Sequence, residues 1–253
     1  MILEDQTGHK IDFSKTPQRV VSLVPSQSEF LSDAGLGDRL LGVTKFCVHP
    51  KSLSVEKTRI GGTKKVHIKK IRDLSPDLVI ANKEENTLED ILEIRKFCTV
   101  WTSDIKNEID AFEMMDGLSE ILELNFDTSE LKTKFATLKS SGKIPEKVLY
   151  LIWRNPYMSI GGDTFISRML NLTGFDNVCE NLARYPVLDY EALKQLRPSH
   201  VFLSSEPFPF KDLHIQELMN VFPEAQVKLV DGEMFSWYGT RMRQSLEYFM
   251  KEF

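Results

Sequence analysis

Two stretches of the chain repeat one plan. The first runs from Arg19-Val20-Val21-Ser22-Leu23-Val24-Pro25 to Leu74-Ser75-Pro76-Asp77-Leu78-Val79-Ile80-Ala81-Asn82. The second runs from Lys147-Val148-Leu149-Tyr150-Leu151-Ile152-Trp153 to Leu196-Arg197-Pro198-Ser199-His200-Val201-Phe202-Leu203-Ser204-Ser205. Each begins with a short β-rich apolar run and a polar loop, continues through a helix that ends near glycine, and closes with a helix, Leu-x-Pro and another apolar strand. Strand and helix alternate, and the strands read as continuous apolar runs. This pattern predicts parallel α/β sheets covered on both faces. The expected fold is therefore α/β, with two Rossmann-like lobes bearing parallel sheets and a ligand cleft between them.

The elements follow from local signals. Residues 1–18 form an arm that turns at Thr7-Gly8-His9, and Val20–Val24 is a buried strand stopped by Pro25. Ser26 or Ser28 is placed to cap the next helix, with Gly35 and Gly37 at its end. Further strands are expected at Leu40–Thr44, Leu78–Ala81, Thr99–Thr102, Val148–Trp153 and Gln226–Val230, and Lys45–Gly62 is read as irregular. Helices are expected at Ile68–Leu74, Leu88–Phe97, Phe165–Leu172, Tyr190–Leu196, Leu213–Val221 and Ser245–Phe253. Between Ile105 and Lys143 the apolar residues fall at helical spacing with no strand signal. The expected organisation is an N-terminal lobe over 1–105, a helical linker over 106–143 that includes a long interlobe helix, and a C-terminal lobe over 144–253. Gly61-Gly62 and Gly161-Gly162 match no phosphate-binding motif and are read as turns needing positive φ.

Composition narrows the function. A formal net charge of −5 argues against nucleic acid as a partner, which would need a basic face, and leaves room for a local basic patch such as Lys64, Lys65, Lys69 and Lys70. No run approaches the length of a membrane span, and the first residues lack the basic-then-apolar pattern of a secretory signal. Either the chain is cytoplasmic or a leader has been removed. Cys47, Cys98 and Cys179 form neither a disulfide framework nor a C-x-x-C pair.

In open parallel sheets, ligands bind beyond the carboxyl ends of the strands. That rule selects the loops Pro25–Glu29, Lys45–Pro50, Asn82–Asn86, Trp153–Tyr157, Ser204–Phe210 and Asp231–Arg241. They are rich in aromatic rings and arginine, which suits a large and partly apolar ligand. The candidate ligand-binding residues are Pro25, Ser26, Phe46, His49, Lys64, Trp153, Arg154, Tyr157, Phe208, Trp237, Tyr238 and Arg241. Phe235 and Phe208 are read evenly between ligand contact and packing beneath their loops. Trp153 and Trp237 are expected to matter most. His49 is the candidate metal ligand, but a bare transition-metal site would want more histidines in these loops. No catalytic set is assembled: G-x-S-x-G is absent, and His49, Glu84 and Glu85 are the acid–base groups an enzyme would have to use.

At Arg19 to Pro25, Ser26-x-Ser28-Glu29, Gly35-Leu36-Gly37-Asp38, Leu41-Gly42-Val43-Thr44 and Ile60-Gly61-Gly62, the chain resembles the class III periplasmic substrate-binding proteins of ABC importers. Ile68-x-x-Ile71-x-x-Leu74-x-Pro76-Asp77-Leu78 continues that likeness. Asp231 to Gly239 looks like a helical-backbone metal receptor subgroup. The family takes up vitamin B12, haem and ferric siderophores. The resemblance implies a binding protein, not an enzyme, with no intrinsic cofactor and a ligand that carries cobalt or iron. It implies an ABC permease partner, a monomer and an extracytoplasmic location. It places ligand walls at Phe46 to Pro50, Thr63-Lys64, Arg154 to Tyr157 and Phe235 to Tyr238. Permease docking in the family uses an acid on each lobe; here Glu217 is the candidate in the second, and Lys69, of opposite sign, is the best match in the first. The alternatives are a cytoplasmic chelatase-like protein on the same fold and a bare divalent-metal receptor.

Overall fold

The computed structural model describes residues 2–139 and 144–253. The last residues of the expected helical linker, 140–143, lie outside the described residues. Contacts divide the chain into two compact units. The first comprises Met1–Ile105, Ile109–Glu130 and Tyr238–Arg241; the second comprises Lys106–Glu108, Leu131–Trp237 and Met242–Phe253.

In the first unit, five parallel strands run in the spatial order Thr58–Arg59, Leu40–Val43, Val20–Ser22, Leu78–Asn82, Thr99–Ser103. In the second, four parallel strands run in the order Phe175–Asn177, Glu146–Leu151, His200–Ser204, Gln226–Val230. With the two-residue edge strand Thr58–Arg59 left out of the count, the strands of each sheet, numbered in chain order, run second, first, third, fourth. The sequence repeat is thus a repeat of topology. Leu78–Asn82 and His200–Ser204 are buried at every residue, as strands covered on both faces must be.

The closing Leu-x-Pro motifs have a common task. Asp77, after Pro76, accepts the backbone N–H groups of Gln18 and Arg19 at 2.8 and 2.9 Å. Ser199, after Pro198, donates its hydroxyl to the Lys147 carbonyl at 2.9 Å. In both units the residue after the proline ties the start of the third strand to the start of the first. The cores follow. Val21, Leu23, Val79, Ala81, Ile91 and Ile94 pack together in the first unit. Leu149, Leu151, Val201, Leu203, Leu193 and Leu218 do so in the second.

Several expectations are revised. The helix after Val24 runs Pro25–Asp33, with Pro25 in its first turn and no side-chain cap. Ser26 and Ser28 lie inside it. Ser28 instead bonds the Ser22 hydroxyl and the Val24 carbonyl, both at 2.8 Å. Lys45–Gly62 is not irregular: it holds a helix at Lys51–Glu56 and strands at Thr58–Arg59 and Gly61–Gly62. The strand Phe175–Asn177 went unpredicted because three residues with a central Asp show no apolar run. Of the paired glycines only Gly61 has positive φ, at 109°. Gly161 and Gly162 serve close approach. A Cβ on either would strike the backbone of the segment Glu180–Arg184.

Candidate functional site

A strand order of second, first, third, fourth puts a topological switch between the first and third strands. There the two outgoing loops diverge and leave a crevice at their carboxyl ends. In the second unit that crevice lies past Leu151 and Ser204, and a cavity of about 480 Å³ opens there. Its lining is Ile152, Trp153, Met158, Ile166, Tyr185, Ser204, Glu206, Pro207 and Ser236.

Local folding explains each wall. After the strand Glu146–Leu151, the chain makes a tight hairpin in which Ile152 donates to Met158 and Met158 to Trp153. Asn155 turns it with φ 62°. The hairpin sets Trp153 and Met158 side by side on the cavity, and Trp153 keeps 39% of its surface exposed. Its ring meets Phe208 edge-on at 5.7 Å, and Phe208 meets the buried Phe210 at 4.7 Å. The exposed indole is thereby braced by rings that reach into the core. On another wall, Gly161 and Gly162 donate to the carbonyls of Arg184 and Leu182 at 2.7 and 3.1 Å. This close approach fixes the segment that ends in Tyr185.

Glu206 is the cavity's carboxylate, and its side chain accepts Ser236 Oγ at 2.7 Å and the Trp237 side chain. Burial pushes its carboxyl above the ordinary range; the two hydrogen bonds oppose this, and the nearby charges of Glu233 and Asp231 add to it. The backbone is crowded here as well, since a Cβ on Gly232 would lie 2.8 Å from Glu206 Cγ.

The predicted residues are divided between the two units. Tyr157 and Arg154 turn away from the Trp153 cavity. Tyr157 lines a second cavity of about 520 Å³ with Asn155, Pro156, Tyr190 and Glu217. Arg154 Nε lies 3.1 Å, and the Tyr157 hydroxyl 2.6 Å, from the Glu217 carboxylate, to which both donate. Burial alone would raise the Glu217 carboxyl, but these two donors hold it below the ordinary range. Burial, with the Glu217 hydrogen bond, pushes the Tyr157 phenol up to about 12. Phe208 is half-buried, as is Trp237, whereas Phe235 is fully buried among Tyr150, Phe202 and Phe249.

In the first unit, Pro25 and Ser26 are buried in their helix. Phe46 is 49% exposed beside Gly62, with the Lys45 ammonium 4.9 Å from its ring centre. His49 is half-exposed in the same loop, and Lys64 is exposed and donates to the Glu84 carbonyl. That carbonyl belongs to a loop wound around Asn82, whose Oδ1 accepts the N–H groups of Glu84 and Glu85 at 2.8 and 3.0 Å. Tyr238 and Arg241 are buried rather than presented to solvent. The Tyr238 hydroxyl lies 3.4 Å from Glu85 Oε1. The Arg241 guanidinium forks onto both oxygens of Glu29 at 2.9 and 2.6 Å. Its donors are thus already committed to an internal partner, a pairing that exposed-loop reasoning did not anticipate.

Sequence reasoning missed Ile152, Met158, Ile166, Tyr185, Glu206, Pro207 and Ser236. Glu206 and Ser236 stood in flagged strand-end loops; Tyr185 and Ile166 had no signal of their own. Among the described residues, no group of three or more His, Cys, Asp or Glu is arranged to hold a metal ion, and no helix is long and apolar enough to cross a membrane.

Known proteins agree with this architecture. A vitamin B12-binding protein of Vibrio cholerae superposes with a TM-score of 0.78 at 19% identity, covering 93% of this chain and 96% of its own. A haem-binding protein of the same organism gives 0.75 at 18% identity, covering 92% and 96%. In sequence, an uncharacterised ABC transporter substrate-binding lipoprotein of Bacillus subtilis is 26% identical, over 97% of this chain and 82% of its own length. A vitamin B12-binding protein of Vibrio parahaemolyticus is also 26% identical, over 74% and 70%. Residues 20–226 match the family described as periplasmic binding protein, so that the doubled sheet, the strand-end cavity and the sequence agree: the chain belongs to the periplasmic binding protein family and is a binding protein, not an enzyme.

Proposed function

We propose that the protein captures a metal chelate or corrinoid, in the range of cobalamin, haem or a ferric siderophore, and delivers it to an ABC importer. The observation that supports this reading is the cavity of about 480 Å³ at the switch point of the second unit, walled by Trp153 and Tyr185 with Ile152, Met158 and Ile166. A wall of large rings with few polar groups takes up a macrocycle or an aromatic chelate by removing apolar area from water, at about 25 cal/mol per Å². Relatives described as vitamin B12-binding or as ABC transporter substrate-binding point the same way. The cobalt or iron belongs to the cargo; the protein contributes the walls.

On this reading the partner is an ABC permease and the working compartment is outside the cytoplasm. Glu217, on the helix Asp212–Val221, is the docking acid of the second unit, with Arg154 as its counter-ion in the free protein. The test is tryptophan fluorescence with thermal shift against cyanocobalamin, haem, ferric chelates and divalent metal ions. One chelate should quench the fluorescence and raise Tm. Replacing Trp153 with Ala should weaken its binding about tenfold or more, since a central aromatic anchor contributes upward of about 2 kcal/mol. Stabilisation by Zn²⁺ with no response to any chelate would sink the proposal.

A further inference from the structure

We propose that Glu206 determines specificity in the second unit's cavity: it accepts an N–H donor or cationic group of the ligand and turns away ligands that present a carboxylate there. This inference rests on the function proposed above and narrows it.

The cavity lining contains one carboxylate and no Lys, Arg or His. An ionised carboxylate has about four acceptor positions. Two donors are in place, Ser236 Oγ at 2.7 Å and the side chain of Trp237. Both come from the loop after Val230, and they orient the carboxylate while leaving acceptor capacity on the cavity side. The charges nearest to it, Glu233 and Asp231, are also negative. An acid on the ligand would therefore meet the Glu206 carboxylate and no base in the lining, with the negative charges of Glu233 and Asp231 acting at the same place. A primary amide or an amine would meet an acceptor that the apolar walls have partly removed from water, where a charge-assisted hydrogen bond is strong. The position is also costly to maintain, since burial opposes the ionised form. A carboxylate retained where the fold would be better served by a neutral side chain points to a task outside folding.

The candidate ligands differ in this property. Haem carries two propionates. Cobalamin carries peripheral primary amides, and mild hydrolysis turns single amides into carboxylates on an otherwise unchanged macrocycle. Isothermal titration calorimetry on the full chain, wild type and Glu206→Gln, should use cyanocobalamin, its separated monocarboxylate isomers and haem. Thermal melts of both unliganded proteins confirm that the variant is folded. The wild type should prefer cyanocobalamin over at least one monocarboxylate isomer by about tenfold, the ratio that one charge-assisted hydrogen bond supplies. In Glu206→Gln that preference should fall below about threefold. A merely structural role for Glu206 would weaken all probes alike and leave their ranking unchanged. An unchanged ranking in the variant overturns the inference, as does wild-type binding of haem in preference to cyanocobalamin; in both cases the proposed function stands. If no probe binds the wild type, this inference fails, while the proposed function is decided separately by the ferric chelates of its own test.

Discussion

A carboxylate partly withdrawn from water costs folding free energy, and Glu206 is such a group. Its raised pKa fixes the sign of a stability experiment. The unfolded chain titrates this residue near pH 4.3. Below that value both states hold the proton and nothing is lost. As pH rises through the raised native value, the native state must ionise in the face of burial, Glu233 and Asp231, and stability falls. Glu206→Gln should therefore melt close to wild type near pH 4.5 and above it at pH 8, by thermal denaturation across that range. Glu29 poses a different problem, because its charge is matched. Its bidentate contact with Arg241 is buried on both sides, with 6% and 7% of the side chains exposed. Glu29→Gln removes the charge that the buried guanidinium forks onto and should cost about 3–5 kcal/mol in urea unfolding, while the double replacement of both residues by Met should cost less than either single change. At this scale the sequence is least legible. Glu29 was readable as part of a strand-end loop and Arg241 as a ligand-binding candidate, but no local pattern pairs residues this far apart. Tyr185 was invisible for the same reason: its place on the cavity is set by Gly161 and Gly162 lying against the preceding segment.

Elements were more legible, because their signals are local. The helix Phe165–Leu172 has a Thr164 hydroxyl that accepts the Ser167 N–H, and a stop at Thr173-Gly174, so its limits match those read from the sequence. The strand Gln226–Val230 likewise matches, while Phe175–Asn177 is too short and too polar to announce itself. Glycines show how element geometry converts into energy. In the helix Glu108–Leu122, a Cβ on Gly117 would come no closer than 3.9 Å to Trp101. Gly117→Ala should therefore stabilise by about 0.5–1 kcal/mol through the lost entropy of the unfolded chain. Gly162→Ala has no such freedom, because the new methyl would meet the Glu180 carbonyl. It should destabilise by about 1–3 kcal/mol and weaken ligand binding by moving the segment that carries Tyr185. Chemical denaturation with the fluorescence titration separates the two glycines.

At the scale of the whole molecule, the repeat that was legible in the sequence became a repeated strand order, with Val20–Ser22 set between Leu40–Val43 and Leu78–Asn82, and Glu146–Leu151 between Phe175–Asn177 and His200–Ser204. Interior strands flanked on both sides lose their amide protection last. Hydrogen exchange should therefore be slowest at Val20–Ser22, Leu40–Val43 and Leu78–Asn82 in the first unit, and at Leu149–Leu151 and Val201–Leu203 in the second. What the repeat could not show is that the first unit is discontinuous, for Tyr238–Arg241 is counted with it although the chain before and after belongs to the second. Thr240 bonds Asp33 at 2.5 Å, and Arg241 neutralises Glu29. That short return has a consequence for biosynthesis. Chains fold from the amino terminus as they leave the ribosome, yet here the helix Pro25–Asp33 must wait for a counter-ion that lies 212 residues further along the chain than Glu29. A nascent or truncated chain ending before Tyr238 holds Glu29 without the Arg241 guanidinium, so a fragment of residues 1–130 should be cleaved by protease far faster than the same residues in the full chain: a segment made late completes the part of the protein that began to form first.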